Sequence, residues 1–348
     1  LIGGIRLMAI IDKPSDYFET VLWSSVDTSI DTLDFQPDWV WIKSRTNADT
    51  QVLFDSVRGA GERLSSSSDG AESTKTDELT AFNSDGFTLG TGSNVNRASH
   101  TNVAWNWKAG GSASSNSNGT ITSSVSANTD AGFSIGTYNG SGSDNTVGHG
   151  LGVAPDMIIV KCKSTAHDWV VYHSALGNAK ILTLNATTAA QSATGWQSTS
   201  PTSTVFSIDN AANSLNQSGQ SFVFYAMASK KGYSKFGSYI ANANVDGAFV
   251  YTGFKPAFLL IKNTSQATDW IMYDNKRDGY EPQNKEFRAN TSAAERNAED
   301  NNVQFCANGF KLRNAGTKSN ADSGNTLIYM SFAEQPLVTS TGVPATAR

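Results

Sequence analysis

The chain of 348 residues is poor in charge and nearly free of thiols: charged residues are 16% of the total, and there are two cysteines and four histidines. Cys162 and Cys306 lie far apart and in segments that do not correspond in the repeat alignment below, so no disulfide framework or zinc site is expected, and both read as buried free thiols. No cluster of Lys and Arg is present, and the net charge is −5 with a pI near 5.4, which excludes the counterion-releasing grip on phosphates that nucleic-acid binding needs. No stretch approaches 18 consecutive apolar residues, so membrane insertion is not expected. The opening LIGGIRLMAIIDKPSDYF has a short apolar run without a charged leader or a small-residue cleavage site, and Met8 reads as the natural start.

What the chain does have is repetition. Pro37-Asp-Trp-Val-Trp-Ile-Lys43, Pro155-Asp-Met-Ile-Ile-Val-Lys161 and Pro256-Ala-Phe-Leu-Leu-Ile-Lys262 share a proline, an apolar run and a lysine six positions on. Eight residues past each lysine stand Gln51, Trp169 and Trp270; eleven past it stand Phe54, Tyr172 and Tyr273, followed by Asp55, His173 and Asp274. Upstream lie DYFETVLW (16–23), GFSIGTY (132–138) and YSKFGSY (233–239). Downstream come GFTLG (86–90), VFSID (205–209) and GFKLR (309–313), then NVAWNWKA (102–109), SFVFYAMA (221–228) and TLIYMSFA (326–333). Three units therefore span roughly 16–113, 131–232 and 233–336.

The apolar runs are short, rich in Val, Ile, Phe, Tyr and Trp, and end at Gly, Asn, Asp or Ser, as strands bounded by turns do. The expected class is all-β: three tandem antiparallel β-sandwich repeats of jelly-roll type with few short helices, divided as 1–113, 114–232 and 233–348. WVWIK and FLLIK are too continuously apolar for a half-wet strand and belong in the middle of a sandwich or at contacts between repeats. SAAERNAED (292–300) and, more weakly, ATTAAQSA (186–193) are expected to be helical. The start of GGSASSNSNGTITSSVSAN (110–128) reads as a flexible linker and its end as a β-prone arm. Only SKKG (229–232) joins the second and third units, which predicts that those two pack tightly and the first sits apart.

Catalytic patterns are missing: there is no GxSxG, Walker loop, HExxH or EF-hand. His149 in VGHGLG reads as a turn residue, and His167 and His173 stand roughly 20 Å apart at the rise of a strand, too far for one metal. His100 carries no pattern either. Asp55, Asp274, Asp278 and Glu281 are the candidate carboxylates for glycoside chemistry, but Asp55 and Asp274 are one repeat position that His173 fills in the second copy, which points to a structural role. Tryptophans beside polar residues suit sugar stacking, yet Trp41, Trp107, Trp169 and Trp270, with Tyr172 and Tyr273, occupy repeat-core positions. The charged loop 275–288 is the candidate surface contact, through Asn275, Lys276, Arg277, Asp278, Tyr280 and Glu281. No cofactor and no catalytic or metal-binding residue is expected.

FQPDWVWIKSR, LFDSVRG, VAWNWKAGG, VGHGLGVAPDMIIVK, WVVYHSALGNAK, KKGYSKFGSY, FVYTGFKPAFLLIK and the closing STGVPATAR resemble a family of uncharacterised structural proteins of tailed phages of marine bacteria and cyanobacteria, over nearly the whole chain from Met8. The resemblance implies a non-enzymatic virion component made in the host cytoplasm, most often a tail fibre or spike that touches the host envelope. Its implied partners are other virion proteins and a host surface glycan or protein, and its implied assembly a homotrimer. Two alternatives accompany it, a capsid decoration (head fibre) protein and a polysaccharide-degrading tailspike. The three units could instead form a pseudo-threefold monomer for a threefold or sixfold site of a virion.

Overall fold

A computed structural model describes residues 10–24, 28–209, 213–316 and 318–345; Met8 lies outside them. The chain is all-β, 43% strand and 3% helix, with many antiparallel sheets. Among the described residues the helical content is the four-residue turn Asn213–Asn216 and the 3-10 turns Pro14–Asp16 and Glu299–Asn301.

The same strand order occurs three times. In the first unit a large sheet runs Phe18–Ser24, Thr101–Trp107, Trp39–Ser44, Val52–Asp55, and a small one runs Ser29–Ile30, Gly86–Leu89, Leu79–Asn83. In the second, Phe133–Asn139, Ser221–Met227, Met157–Cys162 and Val170–His173 continue into Lys180–Thr183 and Gln191–Ser192, while Asn145–Gly148 pairs with Val205–Ile208. In the third, Ser234–Ile240, Thr326–Pro336, Phe254–Asn263 and Ile271–Asp274 continue into Lys285–Arg288 and Arg296–Asn297, beside Phe249–Tyr251, Gly309–Leu312 and Val303–Cys306. First strand pairs with last and second with next-to-last, the nesting of a jelly roll. The fourth strand, however, turns back in a hairpin within the same sheet instead of crossing to the other, so only the nested half of that topology is present.

Both faces of the central strand of each large sheet are dry, which explains the unbroken apolar runs. Alternate residues of a strand point to opposite faces. Val40 and Ile42 face the small sheet of their own unit, packing with Leu79, Phe87 and Leu89. Trp39 and Trp41 face the other way, into a cluster shared by all three units. Met157 and Ile159 join that shared core while Ile158 and Val160 do not, and Phe258 and Leu260 join it while Leu259 and Ile261 do not. The Trp39 ring lies 4.4 Å from Trp107 and 4.5 Å from Tyr225 of the second unit, and Phe18 stacks at 5.2 Å on Phe332 of the third. Each such pair adds about 0.5–1.5 kcal/mol beyond its buried area. The first unit therefore does not sit apart. A long connection sets no distance when an apolar face needs a partner.

Repeat positions co-vary where strands touch. Gly136 faces Phe224 and Gly237 faces Tyr329 across the first and last strands, and an added Cβ would lie 2.3 Å and 2.7 Å from those side chains. In the first unit the last strand carries Ala104, and Val21 fits opposite it.

Three local expectations fail. The start of 110–128 is no flexible linker: Ser114–Asn116 pairs with Ser123–Asn128, the end expected to be a β-prone arm, in a hairpin that extends the second large sheet beyond Phe133–Asn139. Residues 292–300 and 186–193 are not helices: each supplies an edge strand, Arg296–Asn297 on Lys285–Arg288 and Gln191–Ser192 on Lys180–Thr183. Neighbouring strand edges offered both segments backbone partners, which outweighs a weak helix propensity. Both cysteines are free, as expected, but Cys306 is only half-buried.

Candidate functional site

The places where repeat positions meet across units are the most constructed part of the molecule. The position after the aromatic repeated in the fourth strand (Phe54, Tyr172, Tyr273) reaches the last strand of the next unit each time. Asp55 accepts a hydrogen bond from the Tyr225 hydroxyl at 2.7 Å, His173 Nε2 donates to the Tyr329 carbonyl at 3.2 Å, and Asp274 accepts from the Trp105 indole at 3.0 Å. First meets second, second meets third, and third meets first, so the ring closes.

The position three residues before the repeated aromatic runs round the ring in the opposite sense. Trp169 donates its indole N–H to the Ser65 carbonyl of the first unit at 2.8 Å, and Trp270 donates to the Thr183 carbonyl of the second at 2.9 Å. Gln51, which stands where the others have Trp, donates its amide to the carbonyls of Arg288 and Thr291 of the third. A shorter polar side chain thus makes the same kind of bond.

Two of the three seams hold buried ion pairs. Arg58 lies 2.5 Å from Asp55, and Arg277 lies 2.5 Å from Asp274, with all four side chains fully shielded from water. Desolvation works against the charge on Arg58 but is outweighed by the carboxylates of Asp55 and Glu72, which raise its affinity for its proton. The second unit solves the same position without charge: three residues after His173 stands Leu176, packed against the shared core. Desolvation pushes His173 down to about 4, and its Nδ1 accepts the Ala175 N–H at 3.2 Å, so the ring is neutral. The carboxylate candidates Asp55 and Asp274 are thereby occupied as structural pairs. The Asp-x-x-Arg spacing in LFDSVRG and in YDNKR was the available signal for both arginines.

Lys43, Lys161 and Lys262 form a second threefold set, each fully buried at the end of the inward-facing row. Their ammonium groups cap backbone carbonyls: Lys43 serves Ser44 and Asn47, Lys161 serves Cys162, and Lys262 serves Thr268 and Thr187 of the second unit. Burial drives all three down to about 8.

Loop 275–288 is split between seam and surface. Asn275 and Arg277 are buried and so are not surface contacts; burial of the Asp274 partner draws Arg277 inward, and Asn275 donates to Glu334 at 2.7 Å. Lys276 is exposed and reaches Glu19 of the first unit at 3.4 Å. Asp278 accepts the backbone N–H of Lys285 at 3.0 Å, and Glu281 accepts that of Phe305 at 2.9 Å. Tyr280 is 86% exposed. All eight tryptophans, Trp41, Trp107, Trp169 and Trp270 among them, are buried, as are Tyr172 and Tyr273, so no indole offers a face to a sugar. His149 is buried against the Thr202 carbonyl at 3.1 Å, His167 meets Gln217, and His100 meets Asp49 and Asn47. Among the described residues no three His, Cys, Asp or Glu side chains converge as a metal site would require.

No curated protein and no solved structure matches the chain. The model of one family, described as a domain of unknown function (DUF7483), matches residues 13–336, the stretch that holds all three units and every seam between them. The chain belongs to that DUF7483 family.

Proposed function

We propose that the chain is a non-enzymatic structural protein of a phage particle, displayed on the virion surface as a tail fibre or spike component that contacts the host envelope. Its three units are read as tandem copies of one sandwich. The observation that carries this reading is the closed ring of seams around a single core, because it leaves the repeated polar positions bound to backbone and to side chains of the next unit rather than open to a substrate. At seawater ionic strength, roughly 0.5 M, the Debye length falls to a few ångströms, and exposed ion pairs lose most of their worth. Shielded pairs such as Asp55–Arg58 and an apolar three-way core are affected little.

The ring also favours a second reading, capsid decoration, since a block with internal pseudo-threefold symmetry matches a threefold or sixfold site of a shell. The tailspike reading has less support, because the two equivalent carboxylates are enclosed in ion pairs. A reconstruction of particles carrying an antibody to the chain tests the proposal: bound antibody on the tail supports the fibre reading, on the head the decoration reading. Purified particles that contain none of the chain by mass spectrometry would overturn both.

A further inference from the structure

The third unit departs from the other two where its central strand meets both neighbours. In the first unit Asp38, next after the shared proline, ties these strands together: its carboxylate accepts the Ser56 hydroxyl at 2.6 Å and the backbone N–H of Ala109 at 2.7 Å. Asp156 does the same in the second, with the Ser174 hydroxyl at 3.1 Å and the N–H of Ser229 at 2.8 Å. The third unit has Ala257 at this position, Asn275 in place of the serine, and Glu334 in place of Ala109 and Ser229. Lys255 stands where the others have Gln36 and Ala154.

These replacements come together in space. Lys255 lies on the central strand Phe254–Asn263, Asn275 follows Ile271–Asp274 on one side of it, and Glu334 lies on Thr326–Pro336 on the other. Lys255 pairs with Gln335 and Pro256 with Ala333, so Glu334 is the extra residue of a β-bulge, a device that re-aims a side chain. Its carboxylate spans the gap: Oε1 accepts from Lys255 Nζ at 3.1 Å and Oε2 from Asn275 Nδ2 at 2.7 Å. Lys255 and Asn275 are buried, Glu334 is half-buried, and the shielded Oδ1 of Asn275 has no hydrogen-bond partner. Beside them lies a cavity of about 150 Å³, lined by Phe18, Ala257, Asn275 and Glu334 and by the Lys276–Glu19 ion pair.

We propose that Lys255 and Asn275 join in an intramolecular isopeptide bond, formed by the chain on itself with Glu334 as the proton carrier. An amine and a carboxamide shielded from water, with one carboxylate touching both, are what such a reaction needs. Glu334 takes a proton from the Lys255 ammonium, and the freed lone pair of Nζ attacks Cγ of Asn275. Rotating the carboxamide by half a turn exchanges Nδ2 for the unpartnered Oδ1, so protonated Glu334 donates to the oxygen on which charge develops. A second proton passes from Nζ to Nδ2 and the Cγ–Nδ2 bond breaks. Ammonia leaves with the proton that Glu334 held, as ammonium, and the carboxylate is regenerated. One amide replaces another, and nothing is oxidised or reduced. The new bond ties the central and fourth strands, as the hydrogen bonds of Asp38 to Ser56 and Asp156 to Ser174 do in the other units.

Mass spectrometry of the full chain, intact and after peptide mapping, reads the outcome. Wild type is expected to be lighter than its sequence by one ammonia, with the peptides that carry Lys255 and Asn275 linked to each other. Lys255→Arg, whose guanidinium is no nucleophile, and Glu334→Gln, which cannot take the proton, are each expected at full sequence mass. A wild type at full mass overturns the proposal, and so does an ammonia loss without the linked pair, as from a cyclised asparagine. A Lys255→Arg or Glu334→Gln chain that still loses the ammonia overturns it too. Should a variant not fold, the wild-type map decides alone, since the linked peptides are either found or absent.

Discussion

The second unit shows how the buried ion pair of the first can be replaced. Arg58→Leu alone leaves the Asp55 carboxylate in a water-free site with only the Tyr225 hydroxyl and the backbone N–H of residue 58, and should cost about 3–5 kcal/mol. Adding Asp55→His installs the neutral His and Leu arrangement of His173 and Leu176. The Tyr225 hydroxyl can reverse its role and accept from the imidazole, because a phenol both donates and accepts. What remains lost is the cover that Arg58 gives the Leu53 and Glu62 carbonyls and Glu72, about 1 kcal/mol apiece. The double variant is therefore expected to be more stable than Arg58→Leu by up to about 2 kcal/mol, read as a higher urea midpoint at constant slope by tryptophan fluorescence. The same exchange in the third unit, Asp274→His/Arg277→Leu, should give no such recovery. There the partner is the Trp105 indole, which can only donate and would face an imidazole N–H. A first-unit double variant no more stable than its single, or equal recovery in both units, would refute the reasoning.

Two further outcomes follow from single contacts. His173 is held at about 4 against an ordinary value near 6.5, so the unfolded chain takes up its proton first as pH falls; stability should drop between about pH 6.5 and 4 by on the order of 3 kcal/mol from this residue, and His173→Gln should flatten that part of the urea-midpoint profile. Gly136→Ala drives a methyl into the Phe224 ring and should cost about 1–3 kcal/mol, while Gly136→Val combined with Phe224→Ala, the pairing of Val21 and Ala104, should cost less than the sum of its parts in thermal unfolding.

Much of this architecture was legible in the residues. The shared proline and lysine frames of 37–43, 155–161 and 256–262 locate the central strand of each large sheet, and the unbroken apolarity of WVWIK already requires two dry faces. Which face looks toward the other units is not legible, because Trp39 packs on residues of the second and third units and Val40 on the small sheet of its own, neither of which is local in sequence. Linker length misled for the same reason. The helix expectation for 292–300 rested on local Ala and Glu, whereas Arg296–Asn297 takes its partners from Lys285–Arg288. In the loop from 275, charge suggested surface, and the Asp274-to-Arg277 spacing, repeated from Asp55 and Arg58, was the better guide.

A trimer of identical chains must present the same rim three times over. By carrying its three sandwiches in one polypeptide, this protein is free to make one rim unlike the others: the hairpin of Ser114–Asn116 and Ser123–Asn128 seals the second alone. An object with nearly threefold insides can thus have one side marked off from the other two, and an assembly that reads that mark would accept it in one orientation instead of three.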